Sequence, residues 1–115
     1  DEEQLRFVAV RGPKSDQLLG RTLSRIQGVA GVALQSGTTL LIRRAHSSNQ
    51  HDASVDRSIG HITRTLLAVP LIADESAHGV LELLNPFGGD TFAPDHQGIA
   101  REVCDALSAR LAREL

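Results

Sequence analysis

Hydrophobic positions are densest between residues 62 and 85, where two apolar runs flank a short polar break. The runs are LLAVPLIA, residues 66–73, and GVLELL, residues 79–84, and the break is DESAH, residues 74–78. Apolar runs of this length separated by turn-forming residues predict two strands joined as an antiparallel hairpin. Neither run alternates cleanly between apolar and polar residues, so both strands are predicted to lie inside a sheet with both faces covered.

Two residues do not fit an ordinary interior strand. Pro70 has no N–H to donate to a ladder, so we expect either a bulge there or a side of the strand that has no neighbour. Glu82 is the only charged residue in the second run. Because a buried carboxylate needs a partner, Glu82 must reach solvent, a cation or a polar pocket.

Shorter elements are predicted before the hairpin. Residues 5–11, LRFVAVR, favour a strand that Gly12-Pro13 ends, and residues 15–20 favour one helical turn. The apolar spacing in GVAGVALQSG, residues 28–37, predicts a helix that stops at its last glycine. Residues 39–42 then form a short apolar strand.

The segment from residue 43 to residue 61 is rich in polar residues and shows no clear period. Connections of this length in compact domains are usually functional or irregular. Within it, residues 53–58 favour a short helix with Asp52 as its N-cap. We expect the segment to cover one face of the sheet.

The most regular pattern is the final helix. Pro94 suits the first helical position, and Asp95 complements the positive end of the helix dipole. Large apolar residues then recur every fourth position, at Ile99, Val103, Leu107, Leu111 and Leu115. This spacing predicts a long amphipathic helix that packs on the sheet face opposite the 43–61 segment.

Composition narrows the class of protein. A chain of 115 residues with 41% hydrophobic residues is sufficient for one globular domain. A net charge of −2 gives no electrostatic reason to expect nucleic-acid or anionic-membrane binding. No apolar run approaches the roughly 20 residues of a membrane-spanning helix. A single cysteine excludes an intrachain disulfide, and a cytoplasmic location is expected.

Catalytic and metal-binding motifs are not recognisable. Of the five histidines, His46, His51 and His61 lie in or beside the irregular segment, without the ligand spacing of a structural zinc site. They are interpreted as solvated loop residues. No framed serine nucleophile occurs, and Cys104 is interpreted as a buried, unreactive thiol on the final helix. The chain is therefore not expected to be an enzyme.

The stretch LLAVPLIADESAHGVLELLN resembles the characteristic hairpin of a GAF domain, a sensory module of signalling proteins. GVAGVALQSGTTLLI resembles the family's glycine-containing helix and the strand after it. Asn85, Phe92 and Asp95 resemble its closing pattern. The resemblance extends from about residue 5 to the end of the chain. It implies an α+β, profilin/PAS-like fold with an antiparallel sheet of about five strands, flanking helices and a long C-terminal helix.

The sequence departs from the family in three respects. The family's first helix and first strand are absent, so residues 1–115 are expected to form a single, N-terminally trimmed GAF-like domain. Asn85 is followed by Pro86, and only two residues separate Phe92 from Asp95, which argues against the pattern of cyclic-nucleotide-binding members. Relatives that reduce methionine sulfoxide use several cysteines, and bilin-binding relatives place a cysteine near a histidine. The single Cys104 matches neither arrangement.

The resemblance implies a small-molecule site between the sheet and the 43–61 segment, although the sequence identifies neither the ligand nor a cofactor. The expected ligand-binding residues are Ile42, Arg44, His46, Asp56, Ile59, His61, Arg64, Thr65 and Glu82. In this hypothesis the domain senses a ligand and relays its presence through the final helix to an output domain. The alternative is a ligand-free module that forms homodimers through Val103, Leu107, Leu111 and Leu115.

Overall fold

The computed structural model describes residues 4–24, 28–45, 53–60, 62–86 and 91–114. Five strands and four helices occur in these residues, and α4 is the longest element. In chain order they are β1 (Gln4–Arg6), α1 (Ser15–Leu18), β2 (Thr22–Ser24), α2 (Gly28–Ser36), β3 (Leu40–Ile42), α3 (Ser54–Ile59), β4 (Leu66–Ala73), β5 (Ser76–Leu84) and α4 (Pro94–Glu114).

The predicted hairpin is confirmed as β4 and β5, which pair antiparallel from Leu66↔Leu84 onward. Its turn is shorter than the sequence indicates, because β5 already begins at Ser76. Asp74 and Glu75 form the turn with φ values of 51° and 65°. Two successive left-handed residues match the right-handed twist of the flanking strands, which is why such turns connect tight hairpins.

The larger sheet has the order β3-β4-β5, so β4 is its central strand and β5 is an edge. Leu66 through Pro70 are buried, which confirms that both faces of β4 are covered. The prediction that β5 also lies inside the sheet is wrong for the described residues. An apolar run indicates that both faces of a strand are covered. It does not indicate which strands pair with it.

The hydrogen-bond pattern defines which backbone groups point out of this sheet. The Asn85 N–H donates to the Thr65 carbonyl at 2.8 Å, so residues 65 and 85 form a hydrogen-bonded pair. Because such pairs alternate along antiparallel strands, the N–H and C=O groups of Val80, Glu82 and Leu84 point away from β4. The open edge of β5 therefore presents its pairing groups to the space beside it.

The same alternation accounts for Pro70. Its nitrogen points toward β3, and β3 begins only at Leu40, which lies opposite Ala68. The ladder has therefore ended before Pro70, and the second of the two expectations for this residue is confirmed. The irregularity in register falls just beyond, between Leu71 and Ile72.

A second, two-stranded sheet pairs β1 with β2. The predicted strand over residues 5–11 is wrong beyond Arg6, although the Phe7 N–H still donates to the Arg21 carbonyl at 2.9 Å. Gly20 follows with a φ of 86°, a left-handed conformation that suits the turn before β2. The fold class is confirmed as α+β, with the five antiparallel strands divided between two sheets.

The core has two layers, one on each face of the larger sheet. On one face, α4 packs against Leu67 and Val69 of β4, with Phe92 closing the layer. On the other face, Val29 and Ala33 of α2 pack against alternate residues of the same strand. Because β4 contributes to both layers, it is the structural centre of the domain.

Helix α4 does not pack through its largest apolar residues. The face against the sheet consists of small side chains at four-residue spacing, Ala100, Cys104 and Ser108. Ile99, Val103 and Leu107 are 59%, 45% and 49% exposed. The helical period predicted from these residues is correct, whereas their placement against the sheet is wrong. Small side chains let the helix axis approach the sheet closely, and the large residues are left at the side.

Candidate ligand-binding cleft

A cleft of about 1300 Å³ lies beside the open edge of β5, between this strand and the β1–β2 sheet. Its walls include Val80, Glu82 and Leu84, on the α2 side of β5, and Leu81 and Leu83, on the α4 side. The cleft therefore curves around the edge of the strand. Its volume exceeds the roughly 300–1,000 Å³ that is typical of small-molecule sites, so the cleft has room for a small molecule.

Glu82 supplies one of the carboxyl groups that line the cleft, and Asp56 supplies another. Glu82 lies on the same face of β5 as Val80, toward α2, because side chains alternate along a strand. Desolvation raises the pKa of the Glu82 carboxyl from 4.5 to about 7, with a further contribution from the negative charge of Asp56. At neutral pH this group is thus divided between its protonated form, a hydrogen-bond donor, and its ionised form, an acceptor.

Asp56 connects helix α3 to the wall of the cleft. Its Oδ2 atom accepts a hydrogen bond of 2.8 Å from the Thr63 N–H, which holds the helix against the chain entering β4. Thr63 is only 1% exposed, yet its Oγ1 atom has no hydrogen-bond partner among the described residues. A buried hydroxyl without a hydrogen bond destabilises the fold. A bound molecule could supply the missing hydrogen bond to Thr63.

Apolar side chains also line the α2 side of the cleft. Val29 and Ala30 come from α2, Val55 from α3 and Leu66 from β4. An apolar wall with a carboxyl group and a hydroxyl group is the composition expected for a site that holds an amphipathic molecule and fixes its orientation.

A second, smaller depression of about 340 Å³ lies where β3 ends, β4 begins and β5 ends. We call it the arginine depression, and its lining residues are Arg43, Arg44, Arg64, Thr65, Asn85, Pro86 and Thr91. It adjoins the cleft at Asn85 and Pro86, which line both. The Thr65 hydroxyl is committed to the backbone here, since it donates to the Arg43 carbonyl at 3.1 Å.

The structure separates the residues that the sequence placed in one site. Asp56 and Glu82 line the cleft, whereas Arg44, Arg64 and Thr65 line the arginine depression. Ile42 lines neither, because it packs into the core layer beneath α2. His46, His61 and the side chain of Ile59 lie outside the described residues.

Most of the lining residues were not predicted, among them Thr63, Val55 and Arg43. The position of Arg43 could be inferred from the pairing of β3 with β4, because Ile42 lies opposite Leu66. Continuing this antiparallel register beyond the strands places Arg43 and Arg44 beside Thr65 and Arg64. Thr63 and Val55 carry no comparable pattern, since their positions depend on how α3 folds back onto the sheet.

Among the described residues, no group of three or more histidine, cysteine or acidic side chains is placed to hold a metal ion. Cys104 is 2% exposed, and its thiol is directed to the Val69 carbonyl at 3.8 Å. Burial, and secondarily the charge of Asp105, raises the pKa of this thiol. The prediction of a buried thiol is confirmed. No described helix combines the length and apolar character needed to cross a bilayer.

The fold and the cleft define a small α+β domain in which helices cover both faces of an antiparallel sheet. The family description "GAF domain" matches residues 1–111, and the chain belongs to this family. Its members are typically regulatory or sensory domains of signalling proteins. The resemblance inferred from the hairpin sequence is thereby confirmed.

Known proteins show the same relationship. A probable 3′,5′-cyclic phosphodiesterase, pde-5, of Caenorhabditis elegans is 30% identical over 63 residues, which are 55% of this chain and 9% of that protein. The GAF domain/HD domain protein of Geobacter sulfurreducens superimposes with a TM-score of 0.76 at 13% identity, covering 99% of this chain and 75% of the other.

A third similar structure is the free methionine-R-sulfoxide reductase of Neisseria meningitidis, solved in complex with its substrate. It has a TM-score of 0.75 at 22% identity and covers 97% of this chain and 62% of the other. At these identities the structural likeness shows the fold. The chain spans only a small part of the curated relative, so the activity of that whole protein is not transferred.

Proposed function

We propose that this GAF domain is a sensory domain that binds a small molecule in the cleft beside β5. The observation that carries the proposal is a pair of polar groups that line the cleft beside apolar side chains. They are the Glu82 carboxyl and the Thr63 hydroxyl, which has no hydrogen-bond partner among the described residues. Both groups are costly in a site filled only by apolar side chains. A ligand with hydrogen-bonding atoms on one side and an apolar body stabilises both.

Helix α4 is the element that relays occupancy in this proposal. Ile99, Ala100 and Val103 line the α4 side of the cleft, and Ala100 also belongs to the adjoining face of the helix that packs on β4. A ligand that contacts this side shifts the population of helix positions only if it binds one position more tightly than the other. An output domain joined to α4 would receive that shift.

The burial of Cys104 favours a binding role for the domain over a catalytic one. Thiol chemistry requires an accessible thiolate, and the pKa of the Cys104 thiol is raised because the group is buried. We therefore propose that the domain is not an enzyme and that it acts in the cytoplasm.

A thermal-shift screen tests the binding proposal. Nucleotides, tetrapyrroles, small acids and small amines are added to the domain, and a true ligand raises the melting temperature in proportion to RT ln(1 + [L]/Kd). The shift should be lost in Glu82→Gln and Thr63→Val and retained in Glu102→Gln, which changes an exposed carboxylate on α4. A hit that survives both cleft substitutions places the ligand elsewhere and refutes the assignment.

The second candidate function is a ligand-free module that forms homodimers. One observation favours it, namely the exposed apolar row of Ile99, Val103 and Leu107 along α4. Solitary exposed apolar side chains are ordinary, but a row on one helix face is typical of an interface. Leu111 continues the row and is partly buried, whereas Leu115 lies outside the described residues.

Sedimentation and concentration-dependent melting distinguish this candidate. A dimer through α4 melts at higher temperature as protein concentration rises, and Val103→Glu with Leu107→Glu abolishes that dependence. Arg101→Glu is the matched control, because it alters an exposed position on the same helix outside the apolar row. A domain that remains monomeric at high concentration excludes the dimer and leaves the ligand proposal unaffected.

A further inference from the structure

We infer that the arginine depression is a binding site for a phosphate-type oxyanion, distinct from the cleft beside β5. Three arginines line it, Arg43 and Arg44 after β3 and Arg64 before β4. Among the described residues that line it, none is acidic. This concentration of positive charge occurs in a chain whose net charge is −2.

The backbone that carries these arginines is held in place by hydrogen bonds across the strand ends. The Ala45 N–H donates to the Arg64 carbonyl at 2.9 Å, which joins the two arginine-bearing segments. Asn85 holds the third segment, because its Oδ1 accepts from the Arg64 N–H at 2.7 Å and from the Thr65 N–H at 3.2 Å. The floor of the depression is therefore preorganised, and only the arginine side chains need to be ordered on binding.

A hydroxyl group completes the set of donors. Thr91, which precedes α4, lines the depression, and its Oγ1 atom is buried without a hydrogen-bond partner among the described residues. Guanidinium groups pair with oxyanions through two parallel N–H donors, and they match the geometry of phosphate. An anion bound here can pair with Arg43 and Arg64 and accept the Thr91 hydrogen bond.

The volume of about 340 Å³ exceeds what one inorganic phosphate needs, so the site has room for a phosphoryl group attached to a small organic group. Free phosphate and a phosphomonoester present the same oxyanion chemistry. Both are used as probes in the test, and the relative affinities identify the source.

Isothermal titration calorimetry at low ionic strength, with inorganic phosphate and with ribose 5-phosphate, tests the site. The double variant Arg43→Gln/Arg64→Gln should weaken binding by roughly tenfold or more, because two charge-assisted hydrogen-bonding groups are lost. Thr91→Val, which keeps the side-chain shape, should weaken it less. Arg57→Gln/Arg101→Gln removes the same number of exposed arginines elsewhere and should leave the affinity unchanged.

Tighter binding of ribose 5-phosphate means that the organic group occupies the rest of the depression, and equal binding assigns the site to phosphate alone. Circular-dichroism melting of each variant separates lost affinity from lost folding. The inference is overturned if neither probe binds the unaltered domain, or if the control double variant loses as much affinity as Arg43→Gln/Arg64→Gln. Glu82→Gln, which acts in the cleft, should not change phosphate affinity, so the site stands or falls independently of the proposed sensor function.

Discussion

Replacing Glu82 by glutamine should stabilise the domain, and by an amount that grows with pH. The pKa of this carboxyl is raised from 4.5 to about 7, chiefly because the group is desolvated. Between these values the folded protein binds more protons than the unfolded chain, so the free energy of unfolding falls as pH rises. This decrease in the free energy of unfolding begins near pH 4.5 and is complete a little above pH 7. Glutamine does not titrate, and it resembles the protonated carboxyl in shape and in its ability to donate.

The magnitude follows from the size of the pKa shift. One pKa unit corresponds to about 1.4 kcal/mol, so the complete titration of Glu82 costs about 3 kcal/mol. Integrated over pH, the advantage of Glu82→Gln is about 1 kcal/mol at pH 5 and about 3 kcal/mol at pH 8. Contributions from groups that do not interact with Glu82 cancel in the difference between the two proteins.

Urea denaturation of both proteins at intervals between pH 5 and pH 8 measures this difference. Glu102→Gln is the control, since it removes an exposed carboxylate from α4 and should give a flat profile. A difference between Glu82→Gln and the parent that stays constant across the range, or that shrinks toward pH 8, would refute the placement of the carboxyl in a desolvated wall.

Substitutions at two positions and one labelling experiment test the fold. Val69→Asp places a charge at a position that is 3% exposed between two packed layers, and it should cost several kcal/mol and leave no cooperative melting transition. Asn85→Ala removes the acceptor of Arg64 and Thr65 and leaves a non-glycine residue at a φ of 53°, so urea denaturation should show a loss of about 2–3 kcal/mol, with Asn85→Asp less affected. Cys104 should react with a thiol reagent only after denaturation, and rapid labelling of the native protein would show that the face of α4 against the sheet is open.

The hairpin could be predicted from sequence because its signal is local. Two apolar runs and a polar break define two strands and a turn, and the covered faces of β4 follow from the absence of alternation. The edge position of β5 could not be predicted in the same way. Strand neighbours depend on the rest of the chain, and no residue within 76–84 records whether another strand lies alongside.

Helix α4 illustrates a different difficulty. Its period was correct, but the sequence was interpreted on the assumption that the largest apolar residues face the core. The sheet instead receives Ala100, Cys104 and Ser108, whose small side chains permit close packing. Which of these two faces packs on the sheet depends on the space available above β4. The hydropathy pattern gives no information about that space.

The candidate site was partly predictable. Asp56 and Glu82 were recognised as charges in otherwise apolar or irregular surroundings, and the structure brings them together. The grouping of Arg43 with Arg64 follows from strand register, so it becomes visible only once β3 is paired with β4. Thr63 was not predictable, because its importance comes from a buried hydroxyl that has no hydrogen-bond partner in the described part of the chain.

The open edge of β5 has a consequence for how the domain meets other polypeptides. Its outward N–H and C=O groups can form hydrogen bonds with another strand that aligns with residues 80–84, which would extend the sheet. Open strand edges of this kind promote association between molecules. Such a strand would occupy the same volume as a small molecule in the cleft. Strand addition and ligand occupancy are therefore mutually exclusive, so a saturating ligand would also protect the isolated domain from aggregation.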